Sequence, residues 1–273
     1  MKNLVTRTLA GAVLVALIMG SIWWHPIAIF VVFFAFNAMA LFEFTRMFQQ
    51  KGNTLSSSSV IFAGSAVYII VGGIANSWIL PEALWSLLPI SFLLFIASLY
   101  KNSSNIFEDL GIKLMSLLYI ALPFGLFNVV GNMGFKGDFS PEPLLLTGFF
   151  ILIWASDTFA YLFGMSFGKH RLFERISPKK SWEGSIGGAI STMIIAYFYG
   201  YYTEILNPWI WVIIGLFMVI TATYGDLVES LLKRQVGVKD SGNIMPGHGG
   251  ILDRFDAAIF SIPFYVFLLY LLA

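Results

Sequence analysis

Nine long apolar segments constrain the fold of this chain more than any other feature of its sequence. Each has about 17–25 residues, the length that an α-helix needs to cross a bilayer. No alternating pattern of ~10-residue strands repeats along the chain, so a membrane-spanning barrel is not indicated. We therefore predict an all-α, polytopic integral membrane protein with about nine transmembrane helices. The predicted spans are roughly residues 4–22, 26–42, 60–76, 79–100, 111–130, 143–164, 185–203, 208–226 and 257–273.

The composition agrees with this prediction. Hydrophobic residues make up 58% of the 273 residues and charged residues only 11%, and the mean hydropathy is +0.81. A soluble domain has about 25% charged residues. The chain contains no cysteine, which excludes a disulfide framework, a thiolate metal site and a thiol nucleophile.

Some of the nine segments allow a second interpretation. The first follows Lys2 and Arg7, as the apolar core of a signal peptide does, but the next apolar run begins at once without a convincing cleavage site. We therefore interpret it as the first span. The third and fourth segments are interrupted by glycine, asparagine and proline, so they could hold a kink or a re-entrant piece.

Lysine and arginine predict the orientation. With nine spans and a cytoplasmic N-terminus, every one of the 16 Lys and Arg residues except Lys136 falls in a cytoplasmic segment. The positive-inside bias favours this arrangement over its inverse. Two long polar loops, residues 165–184 and 226–256, then face the cytoplasm. We expect residues 1–142 to form scaffold spans and residues 143–273 to form the catalytic region of one integrated membrane domain.

The segment after the eighth span predicts a helix face with acids, a hydroxyl and a base. Asp226, Glu229, Ser230 and Lys233 lie at i, i+3, i+4 and i+7, so a helix aligns them. Acids can hold a cation and bases can hold phosphate, which favours phosphate chemistry at the membrane edge. A merely solvated helix end would also be charged, and that is the simpler alternative.

A glycine-rich loop precedes the last span. Gly249 and Gly250 allow the backbone to approach a ligand closely. Asp253 and Asp256, at i and i+3, offer carboxylates where the last helix begins. Such carboxylates suit Mg²⁺, whose other ligands are often substrate phosphates, although helix capping alone is the alternative. His248 either contacts phosphate or braces the loop.

Two further elements lie upstream. Asp157 falls inside the sixth span, where a carboxylate costs about 2.5–3.5 kcal/mol, so it should have a cation, a base or water as partner. A structural lysine partner is the alternative. The loop 177–184 contains Lys179 and Lys180, which could simply follow the positive-inside bias. The hydroxyls and the Trp182 ring beside them, however, suit a nucleotide triphosphate.

Together these residues form a long pattern. It reads Ser230-x-x-Lys233-Arg234, then Lys239-Asp240, then Pro246-x-His248-Gly249-Gly250-x-x-Asp253-Arg254-x-Asp256. The pattern resembles the signature of bacterial phosphatidate cytidylyltransferases, the CDP-diacylglycerol synthase family. Trp154-x-x-Asp157 and the loop 177–184 also look like that family, so the resemblance covers roughly residues 150–273. Met245 and Ser181 are mild departures that remove no charged group.

The resemblance implies that CTP and phosphatidic acid react to give CDP-diacylglycerol and pyrophosphate, with Mg²⁺ and with or without a second cation. It also implies a homodimer in the cytoplasmic (inner) membrane, and we expect no nucleic-acid partner. The expected metal ligands are Asp226, Asp253 and Asp256. The other expected catalytic residues are Lys233, Arg234, Lys239, Asp240, His248 and Arg254. The expected substrate-binding residues are Asp157, Ser177, Lys179, Lys180, Ser181, Glu183, Ser230, Gly249 and Gly250.

Two other functions compete with this interpretation. A CTP-dependent lipid kinase of the polyprenol type would transfer the γ-phosphate instead. An ion-coupled transporter would use Asp157 and Asp226 on an ion path, but it would need acids spread through the bilayer depth. The P-loop, the dinucleotide-binding fingerprint and the nucleophile elbow are all absent from the sequence.

Overall fold

The structure is a computed structural model that describes residues 2–53, 55–100, 105–134, 142–242, 244 and 249–272, with side chains from residue 8 onward. The chain divides into two compact units. The first unit is Met1–Asn132 with Gln235–Arg254, and the second is Met133–Arg234 with Phe255–Ala273. The described residues of the segment 235–254 therefore group with the N-terminal helices.

The first unit consists of six helices and two short irregular turns of helix. They are α1 (Lys2–Trp24), α2 (Pro26–Gln50), α3 (Ser57–Ala75), a 3₁₀ turn (Pro81–Ser86), α4 (Leu87–Leu99), α5 (Ile106–Ser116), a π turn (Leu117–Ala121) and α6 (Leu122–Gly131). Polar residues and proline begin the helices where the apolar runs are interrupted. The His25 side chain, for example, accepts the Ile27 N–H at 3.1 Å, and Pro26 occupies the first turn of α2.

Aromatic side chains fill the interior of the first unit. The rings of Phe33 on α2 and Phe127 on α6 lie 4.7 Å apart, and both are fully buried. Tyr68 on α3 donates to the Phe30 carbonyl at 2.7 Å and accepts the Asn128 amide at 2.9 Å. These bonds satisfy polar atoms that would otherwise be costly inside an apolar core.

The second unit consists of four long helices and a small hairpin. They are α7 (Pro143–Phe167), β1 (Arg171–Phe173), β2 (Ser177–Ser181), α8 (Trp182–Thr203), α9 (Pro208–Val236) and α10 (Leu252–Leu272). The antiparallel hairpin pairs Arg171 with Ser181 and Phe173 with Ser177. The prediction of an all-α protein is thus confirmed for the helical character of the chain, and the hairpin is an addition to it.

Small residues bring the helices of the second unit close together. A methyl group on Gly188 of α8 would lie 3.1 Å from the Cβ of Ala160 on α7. A methyl group on Gly225 of α9 would lie 2.8 Å from the carbonyl oxygen of Asp256 and 3.0 Å from the Cα of Ala257, both on α10. Such contacts are typical of helix packing in membranes, where small residues let backbones approach.

Within the described part of the chain, seven helical segments are long and apolar enough to cross a membrane. They are Pro26–Gln50, Ser57–Ala75, Pro81–Leu99, Ile106–Gly131, Pro143–Phe167, Pro208–Val236 and Leu252–Leu272. Large apolar side chains also cover the outside: Phe62, Trp85 and Leu99 are each more than three-quarters exposed. The chain is therefore a multi-pass membrane protein, while the count of nine spans and the orientation stay predictions.

Candidate active site

Helix α9 carries the polar face that the sequence predicts. The helix continues to Val236, beyond the predicted end of the span, so Asp226, Glu229, Ser230 and Lys233 all lie on it. The Ser230 hydroxyl donates to Asp226 Oδ1 at 3.4 Å, and Lys233 forms an ion pair with Glu229 one turn earlier. The prediction that these four residues, at i, i+3, i+4 and i+7, lie on one helix is confirmed.

Three carboxylates from two helices converge in the second unit. One oxygen from each of Asp226, Glu229 and Asp256 lies within 4.8 Å of the other two. We call these three residues the acidic cluster. Glu229 is only 1% exposed, and one Asp256 oxygen accepts the Ala257 N–H at 2.7 Å. Carboxylate oxygens at this spacing can serve as ligands of a hard divalent cation.

The close packing at Gly225 explains why two of these carboxylates meet. The glycine lets α9 lie directly against the α10 backbone at Asp256 and Ala257. Asp226 is the next residue on α9, so its side chain projects beside the same part of α10. The convergence of Asp226 and Asp256 that the sequence predicts is present, and the third member of the cluster is Glu229. The sequence placed Glu229 on the shared face but did not single it out as a ligand.

Lys180 joins the acidic cluster from the hairpin. Its ammonium lies 2.5 Å from Asp226 Oδ2 and 3.4 Å from the carbonyl oxygen of Thr223. Asp157 on α7 interacts electrostatically with both Lys180 and Asp226. The carboxylate that the sequence placed inside a span therefore has the basic partner that burial in a membrane requires. Lys179, the neighbouring predicted phosphate ligand, is exposed.

Among the described residues, the contacts at the acidic cluster involve more carboxylates than ammonium groups. Four carboxylates, those of Asp157, Asp226, Glu229 and Asp256, face the ammonium groups of Lys180 and Lys233. When all are ionised, the group has an excess of negative charge. An added cation would therefore be attracted, and the lysines supply positive charge that can hold a phosphate.

Two predicted substrate ligands, Ser181 and Glu183, form hydrogen bonds to the backbone beside the hairpin. The Ser181 hydroxyl accepts the Gly184 N–H at 3.2 Å and so caps α8. Glu183 accepts the backbone N–H groups of Lys169 at 3.1 Å and His170 at 3.2 Å, and its Oε1 lies 2.6 Å from His170 Nδ1. Its own backbone N–H, followed by the His170 ring, lowers the pKa of Glu183 to about 2. Ser177, at the start of β2, is half-buried.

The remaining predicted site residues lie in or beside the segment 237–251, which we call the signature loop. Asp253 holds this loop: its carboxylate accepts the Ser241 N–H at 3.0 Å and the Gly250 N–H at 2.8 Å. Gly249 has a φ of +82°, a conformation that favours glycine. Four other predicted residues expose their side chains, namely Arg234, Lys239, Asp240 and Arg254. His248 lies outside the described residues.

Asp253 therefore has a structural role at the start of α10, which the sequence analysis gave only as the alternative to metal binding. It lies in the first turn of α10, one turn before Asp256. Its two oxygens accept three backbone contacts from the signature loop, because Ser241 reaches both of them. Its predicted role as a metal ligand stays a prediction.

Fold and cluster together define a helical, multi-pass membrane protein with a candidate site for a cation and phosphates. The chain matches the model of the cytidylyltransferase family over residues 5–272 and therefore belongs to that family. This confirms both the predicted family and the predicted enzyme class, a nucleotidyltransferase.

Several relatives are named phosphatidate cytidylyltransferase. The protein of Staphylococcus haemolyticus is 36% identical over 227 residues, covering 82% of this chain and 84% of the relative. That of Staphylococcus aureus is 36% identical over 211 residues, covering 77% and 78%. That of Bacillus subtilis is 34% identical over 250 residues, covering 88% and 87%.

Proposed function

We propose that this chain transfers the cytidylyl group of CTP to phosphatidic acid, giving CDP-diacylglycerol and pyrophosphate. The observation that carries the proposal is the acidic cluster with Lys180 and Lys233 attached to it. It combines donors for a cation with donors for phosphate, on helices long enough to cross a membrane. The relatives of the same name over most of the chain support the choice of substrates.

The chemistry requires little proton transfer by the protein. An oxygen of the lipid phosphate forms a bond to the α-phosphorus of CTP, and the bond from that phosphorus to the bridging oxygen of the β-phosphate breaks. Pyrophosphate leaves with the electron pair. Since the attacking phosphate is already anionic at neutral pH, the main obstacle is the repulsion between two polyanions. Positioning and charge neutralisation are therefore what the site must supply.

The acidic cluster fits Mg²⁺, because one carboxylate oxygen from each of three acids lies within 4.8 Å of the other two. Mg²⁺ held by Asp226, Glu229 and Asp256 would polarise the α-phosphate and screen the repulsion. Asp253, one turn before Asp256 on α10, is retained as a proposed ligand of a second cation.

The basic residues would hold the phosphates. Lys180 forms an ion pair with Asp226, and its flexible side chain would allow the ammonium to contact a triphosphate bound over the acidic cluster. Lys179 would contact the same triphosphate from the exposed side of the hairpin. Lys233, Arg234, Lys239 and Arg254 would hold the lipid phosphate and the leaving pyrophosphate, as cationic side chains do in other phosphoryl transfers. Asp157 keeps Lys180 oriented.

The proposed setting is the inner membrane of a bacterial cell. We retain nine spans with a cytoplasmic N-terminus, which adds α1 and α8 to the seven apolar segments. Residues 1–142 then serve mainly as scaffold for the catalytic region 143–273. The protein would act as a homodimer. Asp240, His248 and the other predicted loop residues would face CTP on the cytoplasmic side.

A product assay with two labels tests this function. Purified protein in detergent receives phosphatidic acid, Mg²⁺ and CTP labelled either at the α-phosphate or at the γ-phosphate. A cytidylyltransferase moves the α-label into lipid and releases the γ-label as pyrophosphate. A CTP-dependent kinase would move the γ-label into lipid and would refute the proposal. An ion-coupled transporter would show no turnover here, because detergent allows no gradient.

A further inference from the structure

Glu43 is a buried acid that the proposed reaction does not use. It lies on α2, in the N-terminal half of the chain, and only 2% of it is exposed. A carboxylate buried in an apolar segment is unfavourable unless hydrogen bonds or charges compensate it. Its surroundings therefore indicate what retains it.

The partner of Glu43 is the start of helix α10. Glu43 Oε2 accepts the backbone N–H of Leu252 at 3.0 Å, across 209 residues of sequence. Leu252 is the first residue of α10, and the first N–H groups of a helix have no partner inside it. A carboxylate at this end also interacts favourably with the helix dipole. Glu43 thus acts as an N-terminal cap supplied by another helix.

Two glycines allow the carboxylate to approach this closely. A methyl group on Gly242 would lie 2.5 Å from Glu43 Oε1, and one on Gly250 would collide with Oε2. Gly242 directly follows Ser241, and Gly250 itself donates its N–H to Asp253, so both glycines lie at the backbone groups that Asp253 holds. The loop is therefore fastened by two carboxylates, one from α10 itself and one from α2.

We propose that Glu43 is a positioning residue for the catalytic end of α10. It fixes the first turn of that helix and thereby orients Asp253, the proposed ligand of a second cation, which lies on that turn. The proposal rests on the proposed function for its catalytic consequence. Residues that orient metal ligands typically affect metal affinity or activity by about 10–100-fold.

The test separates the reach of Glu43 from its charge. Glu43→Gln keeps an oxygen that can accept the Leu252 N–H but removes the charge. Glu43→Asp keeps the charge but is one methylene too short to reach. We expect Glu43→Gln to retain turnover within about 5-fold of wild type, and Glu43→Asp and Glu43→Leu to lose about 10–100-fold in kcat. In Glu43→Asp and Glu43→Leu, KM for CTP should change by less than about 3-fold, and a higher Mg²⁺ concentration should be needed for half-maximal rate.

A second measurement does not depend on activity. Amide hydrogen exchange of the metal-free protein, followed in peptides covering 240–256, should become faster in Glu43→Asp and Glu43→Leu and stay near wild type in Glu43→Gln. Thr45→Val is the matched control, because Thr45 is also buried on α2 and its hydroxyl donates to the Leu41 carbonyl of its own helix. It should leave both exchange and kcat unchanged.

Three outcomes would overturn the proposal. They are normal kcat and exchange in folded Glu43→Leu, a better rate in Glu43→Asp than in Glu43→Gln, or an equal loss in Thr45→Val. If Glu43→Leu does not fold, the comparison of kcat between Glu43→Gln and Glu43→Asp still tests the proposal. If wild-type protein forms no CDP-lipid, the proposed function fails, while the exchange data still judge the positioning role of Glu43.

Discussion

Replacing Gly225 with alanine tests whether the acidic cluster depends on the close packing of α9 against α10. The added methyl group would lie 2.8 Å from the Asp256 carbonyl oxygen, 2.8 Å from Phe260 Cβ and 3.0 Å from Ala257 Cα. Two of these three atoms belong to the α10 backbone, which cannot move aside as a flexible side chain can. The two helices must therefore separate.

The size of the effect follows from these distances. Carbon atoms pack best at about 3.5–4.0 Å, so the helices must move apart by roughly 1 Å. A misplacement of about 1 Å can cost about 100-fold in rate. Overpacking costs about 1–3 kcal/mol of stability, and replacing a helical glycine with alanine returns about 0.5–1 kcal/mol. We therefore expect a protein that still folds but that loses about 100-fold in turnover.

The assay is the initial rate of CDP-lipid formation at saturating CTP, with a thermal unfolding curve for each variant. Gly111→Ala on α5 is the matched control, because Gly111 is exposed and a methyl group there meets no atom within 4 Å. Its rate should equal that of wild type and its stability should rise slightly. Folded Gly225→Ala protein with a rate within about 3-fold of wild type would show that the separation of α9 and α10 does not govern catalysis.

Four further predictions concern single charged groups. Asp226→Asn should lower turnover by about 100-fold or more at unchanged stability; a near-normal rate would remove this residue from the site. Lys180→Met should raise KM for CTP by about 10-fold. It should also lower the Mg²⁺ concentration needed for half-maximal rate, because the lysine ammonium no longer competes with Mg²⁺ for Asp226. Rate measurements at varied CTP and at varied Mg²⁺ check both effects. The pKa of Glu183, about 2, lies below the ordinary value of about 4.3, so its stabilising effect is complete above about pH 4.3 and is lost as the pH falls towards 2. The difference in Tm between wild type and Glu183→Gln should shrink over that range, and a constant difference would contradict the assignment. Finally, the chain has no cysteine, so Lys136→Cys and Lys51→Cys each introduce a single thiol that can be tested with an impermeant maleimide in intact cells. Only Lys136→Cys should react, because Lys136 is predicted to lie outside the cell and Lys51 inside. Reaction of Lys51→Cys alone would show that the predicted orientation is inverted.

The parts of the site that lie on one helix could be predicted from the sequence. Asp226, Glu229, Ser230 and Lys233 share a face because the helical period depends only on local spacing. The nine predicted spans each overlap helical structure among the described residues for the same reason. Their ends were less accurate: α2, α9 and α10 extend beyond the apolar stretches, since a helix can continue into the polar region once its backbone bonds are formed.

Contacts between distant segments could not be read from spacing. Lys180 meets Asp226 across 46 positions because a short hairpin turns β2 back, and β1 is only three residues long, too short for a recognisable alternating pattern. Glu43 was missed because the predicted second span ended at residue 42, which placed this acid at the start of a loop. The reasoning applied to Asp157, that an acid inside a span needs a partner, would have found Glu43 had the helix been extended.

The paired acids and lysines have a consequence for the order of events in the proposed reaction. Lys180 contacts Asp226 Oδ2, and the cation of the proposed reaction would use the same carboxylate, so the two would compete for that oxygen. Arrival of CTP offers Lys180 a stronger partner, because a triphosphate carries several negative charges where Asp226 carries one. Transfer of the ammonium from Asp226 to the triphosphate would then free that carboxylate for Mg²⁺. CTP and the cation should therefore bind cooperatively, and removing the Lys180 charge should abolish that cooperativity while leaving the three carboxylates in place.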